Sequence, residues 1–133
     1  MLQTYMLIML GSALGGAGRY WCSGFVAQNF GETFPWGTII VNIVGSFVIG
    51  FVATLTGPDG RVLANTDTRQ FIMVGLCGGY TTFSSFSLQT LNLMRDGEWS
   101  PAIGNVGLSV VLCMFAVWLG HVAAASLNQL KGA

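Results

Sequence analysis

Apolar residues run in four long stretches along this chain, and polar residues collect between them. A membrane helix needs roughly 20 predominantly apolar residues, and each stretch meets that length. The first, residues 4–27, is dense in small residues in its second half, GSALGGAGRY. Gly11 and Gly15 form a GxxxG, and Ser12 with Gly16 repeats the spacing one residue on. Small residues on one face let helices approach closely in lipid. The second stretch, residues 36–56, contains TIIVNIVGSFVIG and follows Pro35, which suits a first helical turn. Gly57, Pro58, Asp59 and Gly60 stop it and open a long polar loop.

The third stretch, residues 69–94, begins near Asp67 and Gln70, whose spacing resembles a capping box. Arg95, Asp96, Gly97 and Glu98 form the next polar turn. Ser100 then reads as an N-cap and Pro101 as the first position of a fourth span, residues 101–127. A short tail through Lys131, Gly132 and Ala133 follows. Spans one and two do not repeat three and four. The expectation is an all-α membrane protein with one four-helix transmembrane domain over residues 1–133.

One segment departs from the pattern. GLCGGYTTFSSF, residues 75–86, interrupts the third span with glycines, hydroxyls and two phenylalanines. A bilayer tolerates interrupted helices only where protein or a water-filled cavity takes up the freed backbone groups. An ion or small solute is therefore expected to be handled here. Gly75, Gly78 and Gly79 admit two readings: a true helix break, whose released carbonyls suit a hard monovalent cation, or close packing without a break.

Composition supports the class. Of 133 residues, 53% are hydrophobic and 8% charged, with a mean hydropathy of +0.66. Soluble domains carry about 25% charged residues. Net charge is zero, which gives no basic nucleic-acid footprint. Without a basic n-region, the N-terminus reads as a full span with Met1 retained rather than a cleaved signal. Cys22, Cys77 and Cys113 lack CxxC or Cys/His spacing and read as packing residues. Arg61, Arg69 and Lys131 share one side, against Arg95, joined by Arg19 if it reaches the interface, on the other. That weak asymmetry fits either dual insertion or a modest preference for the long loop inside.

The acidic residues Glu32, Asp59, Asp67, Asp96 and Glu98 all fall in connections or at span ends. Proton-coupled pumps and multidrug exporters keep an ionisable carboxylate within the membrane; this pattern argues for passive movement. Arg19 either snorkels or pairs structurally, or supplies an anion-attracting vestibule charge. His121 reads as a satisfied packing histidine. Asn42 shares a helical face with Thr38 four residues earlier, and its amide can bond a neighbouring helix or donate to an anion. Phe83 and Phe86 share a face beside Thr81, Thr82, Ser84 and Ser85. Phenylalanines at this spacing serve lipid contact or core, or their electropositive ring edges line an anion path.

GGAGRY at residues 15–20, GTIIVNIVGSFVIG at 37–50 and GLCGGYTTFSSF at 75–86 together resemble the Fluc (CrcB) family of small fluoride channels. The resemblance covers essentially the whole chain. It implies an antiparallel, dual-topology homodimer in the bacterial cytoplasmic membrane, surrounded by lipid and conducting fluoride passively through two pores. The activity would confer fluoride resistance and involve no enzyme chemistry. It further implies a structural sodium ion at the dimer centre, held by the backbone carbonyls of Gly78 and Thr81 at a broken third helix. By motif position, Asn42, Phe83 and Phe86 fall on the family's pore residues, Ser84 and Ser85 on its hydroxyl track, and Arg19 on its first-helix arginine. Thr38 and Ser109 are expected to join the fluoride path. One departure is Asn105, where the resemblance leads one to expect tyrosine four residues before Ser109. The competing class is a small multidrug exporter, disfavoured by the missing carboxylate; a non-transporting helical assembly factor is a third.

Overall fold

The computed structural model describes residues 1–131, and its membrane-length segments are helical except at Thr81 and Thr82. In chain order these are α1 (Leu2–Phe30), α2 (Trp36–Leu55), α3 (Thr66–Gln70), a π-helical stretch (Phe71–Cys77), α4 (Gly78–Tyr80), α5 (Phe83–Arg95) and α6 (Trp99–Lys131). The third span is thus a composite, Thr66–Arg95, severed between α4 and α5. Three of the four long helical units are long and apolar enough to cross a membrane: Trp36–Leu55, Thr66–Arg95 and Trp99–Leu130. At 29 residues, α1 is long enough, but Gln3, Thr4, Ser12 and Arg19 dilute its apolar character. The protein is an all-α, multi-pass membrane protein.

Two parallel pairs build the subunit. Alternating spans run the same way, so α1 pairs with the third span and α2 with α6. Between α2 and α6 the register holds over a turn: Thr54 meets His121 and Gly50 meets Val117, both separations being 67 residues. Glycines permit the approach, because a Cβ at Gly50 would strike Val117 O and one at Gly120 would lie 2.9 Å from Phe51 N. The α1 pair has the same logic. A Cβ at Gly75 would lie 3.0 Å from Gly11 Cα, and one at Gly79 would lie 2.6 Å from Ser12 O. The small-residue tract of α1 therefore packs against the third span. At the α1–α2 contact, Gly37 abuts Ser23.

The core is thin. Ile39, Val41 and Asn105 are the largest fully buried side chains, while Leu14, Trp21, Val111, Phe115 and Trp118 among many others are exposed. An apolar exterior over a small core is what a lipid-facing bundle requires, since the bilayer covers that surface.

Three expected helix starts move. Asn65, not the Asp67–Gln70 pair, caps α3: its side chain accepts from Thr68 N at 2.8 Å. Asp67 instead accepts from Thr4 Oγ1 at 2.6 Å, tying α3 to the start of α1. Pro35 occupies the N-cap position of α2 rather than its first turn. Helix α6 starts at Trp99, so Ser100 and Pro101 lie inside its first turn, where a missing N–H costs nothing. Its last described residue is Lys131, beyond the expected end at 127; Gly132 and Ala133 of the expected tail lie outside the described residues.

At the end bearing the long loop, Arg69 reaches Thr56 Oγ1 and Ala53 O, and Arg61 Nη1 reaches Leu127 O. Both cations sit on carbonyl-rich helix C-terminal ends, where the helix dipole favours positive charge. His121 is exposed rather than packed, with Nδ1 2.8 Å from Thr54 Oγ1.

Candidate functional site

The interruption falls at two β-branched residues, not at the glycines. Gly78–Tyr80 remain helical, whereas Thr81 (φ −82°, ψ 161°) and Thr82 (φ −153°, ψ 119°) are extended. Both sequence readings of the segment are therefore realised. Gly75 and Gly79 pack on α1, and the break lies just downstream. Thr81 closes the upstream end by donating both its N–H (3.0 Å) and its hydroxyl (2.9 Å) to Cys77 O. Thr82 caps the downstream helix, its Oγ1 accepting from Ser85 N at 3.1 Å. Gly45 of α2 leaves room for the Thr81 methyl.

Asn42 holds the break open. Its Oδ1 accepts from Thr82 N at 2.8 Å and its Nδ2 donates to Thr82 O at 3.0 Å. The amide thereby pairs with one residue's backbone as a neighbouring strand would, leaving one Nδ2 hydrogen uncommitted. In hydrocarbon an unpaired N–H and C=O would each cost several kcal/mol, on the order of the net stability of a small domain. Of the two roles open to Asn42, the structure shows the neighbour-bonding one.

The same bonds decide which backbone groups are left over. Thr82 N, which would continue the helix onto Gly78 O, goes to Asn42. Ser85 N, which would reach Thr81 O, goes to Thr82 Oγ1. Gly79 O is taken by Arg19 Nε at 3.3 Å. The Gly78 and Thr81 carbonyls thus lose their helical donors. On the other side of the break, the first N–H groups of α5 have no preceding turn to donate to, and the positive end of that helix lies mid-span.

A cavity of about 550 Å³ opens beside the break. Arg19, Thr38, Thr82, Ser85, Gln89 and Asp96 are among its lining residues. Arg19 is half-buried, combining its bond to Gly79 O with a place in this wall. Thr38 is buried one turn before Asn42. The Gln89 Oε1 atom is buried with no hydrogen-bond partner among the described residues. Ser85 and Gln89 of α5, with Asp96 at its C-cap, line this cavity from the break to the helix end.

Phe83 and Phe86 lie outside this cavity wall. Their ring centroids are 5.3 Å apart with the planes tilted at 55°, and Phe83 is 78% exposed. Ser84 is exposed beside them, 3.2 Å from Thr82 Oγ1. Ser109 occupies a third location. It is buried on α6 and donates to Asn105 Oδ1 at 3.4 Å; Asn105 Nδ2 in turn donates to Thr90 Oγ1 at 2.9 Å. Within one subunit, then, Asn42, Thr38, Ser85 and Arg19 come together, while the ring pair and Ser109 face elsewhere. Along the chain Thr82 stands out only as one of the hydroxyls beside Phe83 and Phe86, and Thr90 and Gln89 do not stand out at all. The paired threonines ahead of FSSF were the signal for Thr82; nothing local marked the other two.

No group of three or more His, Cys, Asp or Glu side chains that could hold a metal occurs among the described residues. The three cysteines are free, with Cys77 buried and Cys22 and Cys113 half-buried.

Residues 6–121 match the family model described as "CrcB-like protein, Camphor Resistance (CrcB)". The chain is 63% identical over 131 residues to the fluoride-specific ion channel FluC of Opitutus terrae, covering 98% of this chain and 99% of that one. It is 62% identical to the protein of the same name from Methylocella silvestris, over 98% and 100% of the two chains. For the Rhodospirillum rubrum protein of that name the figures are 60%, 96% and 98%. With the interrupted third span, its asparagine-held break and similarity over nearly the full length of both chains, the protein belongs to the CrcB family.

Proposed function

We propose that this protein is a fluoride-selective channel that lets fluoride leave the cell passively and so confers fluoride resistance. It works as an antiparallel, dual-topology homodimer with two pores in the bacterial cytoplasmic membrane, each subunit forming one four-helix domain. The observation that carries the reading is the severed third span, held by Asn42, in a chain 63% identical to a fluoride-specific channel over nearly its whole length.

The break supplies opposite polarities on its two sides. Upstream, the freed Gly78 and Thr81 carbonyls are hard oxygen donors, and they fit a sodium ion that would compensate their dipoles at the dimer centre. Downstream, the N-terminal end of α5 favours negative charge. There the remaining Asn42 N–H and the hydroxyls of Thr38 and Ser85 replace the water a fluoride ion sheds on the cavity side. Ser84 and the edges of Phe83 and Phe86, which face away from that cavity within one subunit, do so where the partner subunit completes the path. Ser109 joins this path only by turning its hydroxyl from Asn105 toward the ion. Arg19, at the wall of the cavity, raises the local concentration of anions. Each contact is individually modest, so the ion can enter and still leave.

Direction needs no energy source from the protein. Fluoride enters cells as the neutral weak acid and dissociates in a near-neutral cytoplasm. The negative membrane potential then drives the anion outward, each unit charge carrying about 2.3 kcal/mol per 100 mV.

Purified protein reconstituted into liposomes loaded with fluoride tests the proposal. The expected result is rapid, electrogenic fluoride efflux without matching chloride efflux. Flux no greater than from empty liposomes would sink it, and proton-coupled efflux of organic cations would point to an exporter instead.

A further inference from the structure

Helix α5 carries the ring pair, yet it is severed from the helix before it. A half-helix without covalent helical continuity takes its orientation from lateral contacts. The hydrogen bonds supply two such holds, each made by an asparagine of a different neighbour. Asn42 of α2 grips Thr82 at the start of α5, and Asn105 of α6 grips Thr90 about two turns further on.

The second hold runs straight to a ring-bearing residue. Ser109 Oγ donates to Asn105 Oδ1, Asn105 Nδ2 donates to Thr90 Oγ1 at 2.9 Å, and Thr90 Oγ1 donates to Phe86 O at 2.7 Å. All three side chains are buried, Asn105 to 1% exposure and Thr90 and Ser109 to 7%. A side-chain amide both donates and accepts, so Asn105 bridges the two hydroxyls with one group. In such a dry setting a fully satisfied network fixes geometry, and a half-satisfied one is costly.

We infer that Asn105 is a positioning residue for conduction: through Thr90 it sets the turn of α5 that presents Phe86, and with it the Phe83–Phe86 ring pair. This rests on the channel reading, in which those rings line the fluoride path. It also gives a role to the residue at which this chain departs from the pattern expected of its family.

The test measures fluoride efflux from liposomes for full-length Asn105→Leu and Thr90→Val, each alone and combined with Phe86→Ile. Thr90→Val preserves shape while removing the hydroxyl, so it stays informative if Asn105→Leu fails to fold. Each single variant is expected to lower flux about tenfold, and Thr90→Ser, which restores the hydroxyl, to recover it. In the Phe86→Ile background the further loss is expected to shrink to within about twofold, because both substitutions act on the same ring. An equal proportional loss in both backgrounds would reduce the network to general structural support and overturn the inference. So would wild-type flux in Thr90→Val. Wild-type protein without fluoride flux would overturn the channel reading and this one together. Normal wild-type flux with either result above overturns the positioning role alone.

Discussion

The two halves of the third span meet the rest of the subunit in opposite ways. Upstream of the break, Gly75 and Gly79 press backbone to backbone against α1, with no side chain between them. Downstream, α5 is hydrogen-bonded to its neighbours through polar side chains, the Asn42–Thr82 pair and the Asn105–Thr90 bond, and turns Phe83 and Ser84 outward while Phe86 is half-buried. The difference separates two jobs that are intermingled along a glycine-rich, hydroxyl-rich segment. Glycine here serves close approach and leaves the helix intact. Extended threonines, paid off by an amide from α2, make the break. An anchored half can present its freed carbonyls at a fixed place, while a half held by a few hydrogen bonds can adjust side chains around a passing ion.

The largest effect should come from wedging the anchored half away from α1. At Gly79 a side chain meets Ser12 O at 2.6 Å, so Gly79→Val is expected to destabilise the subunit by about 3 kcal/mol. Denaturant unfolding in detergent measures this. Its neighbour is the control. A Cβ at Gly78 meets only Met73 O, at 3.8 Å, so Gly78→Val should leave the subunit's own fold intact and disturb dimer assembly instead. Gly78→Val protein that remains dimeric by size exclusion would count against a dimer centre at this residue.

Next comes the hold on the loose half. Asn42→Leu leaves Thr82 N and O without partners and should lower fluoride flux about thirtyfold, matching about 2 kcal/mol of lost hydrogen bonding. If flux in that variant equals wild type, the break does not depend on the amide. The smallest effect belongs to the rings themselves. Phe83→Ile or Phe86→Ile is expected to slow flux about tenfold while the dimer persists, since a ring edge contributes on the order of 1 kcal/mol. Unchanged flux in both would remove the rings from the mechanism.

Much of this arrangement is legible along the chain. The apolar lengths predict the membrane class and helix count, and the small-residue tract of α1 predicts close helix contact. Helix starts were less legible: Asn65 rather than Asp67–Gln70 caps α3, and α6 begins at Trp99. Caps depend on which side chain reaches an N–H, and neighbouring polar residues compete for that geometry. Asp67 was drawn off by Thr4, a partner 63 residues away.

By itself the sequence determined the solvent, because 53% hydrophobic residues grouped in membrane-length runs have no stable alternative to lipid. It also determined that something polar must happen within residues 75–86, since hydroxyls and glycines interrupt a run that hydrocarbon would otherwise favour. Only the tertiary structure decided where the helix parts, which carbonyls are released and which asparagine does what. Those outcomes turn on donors and acceptors 40 residues apart between Asn42 and Thr82, and 15 apart between Thr90 and Asn105. No local pattern encodes such pairings. Hydrogen bonds act over about 3 Å in space, and folding alone brings these groups within that reach.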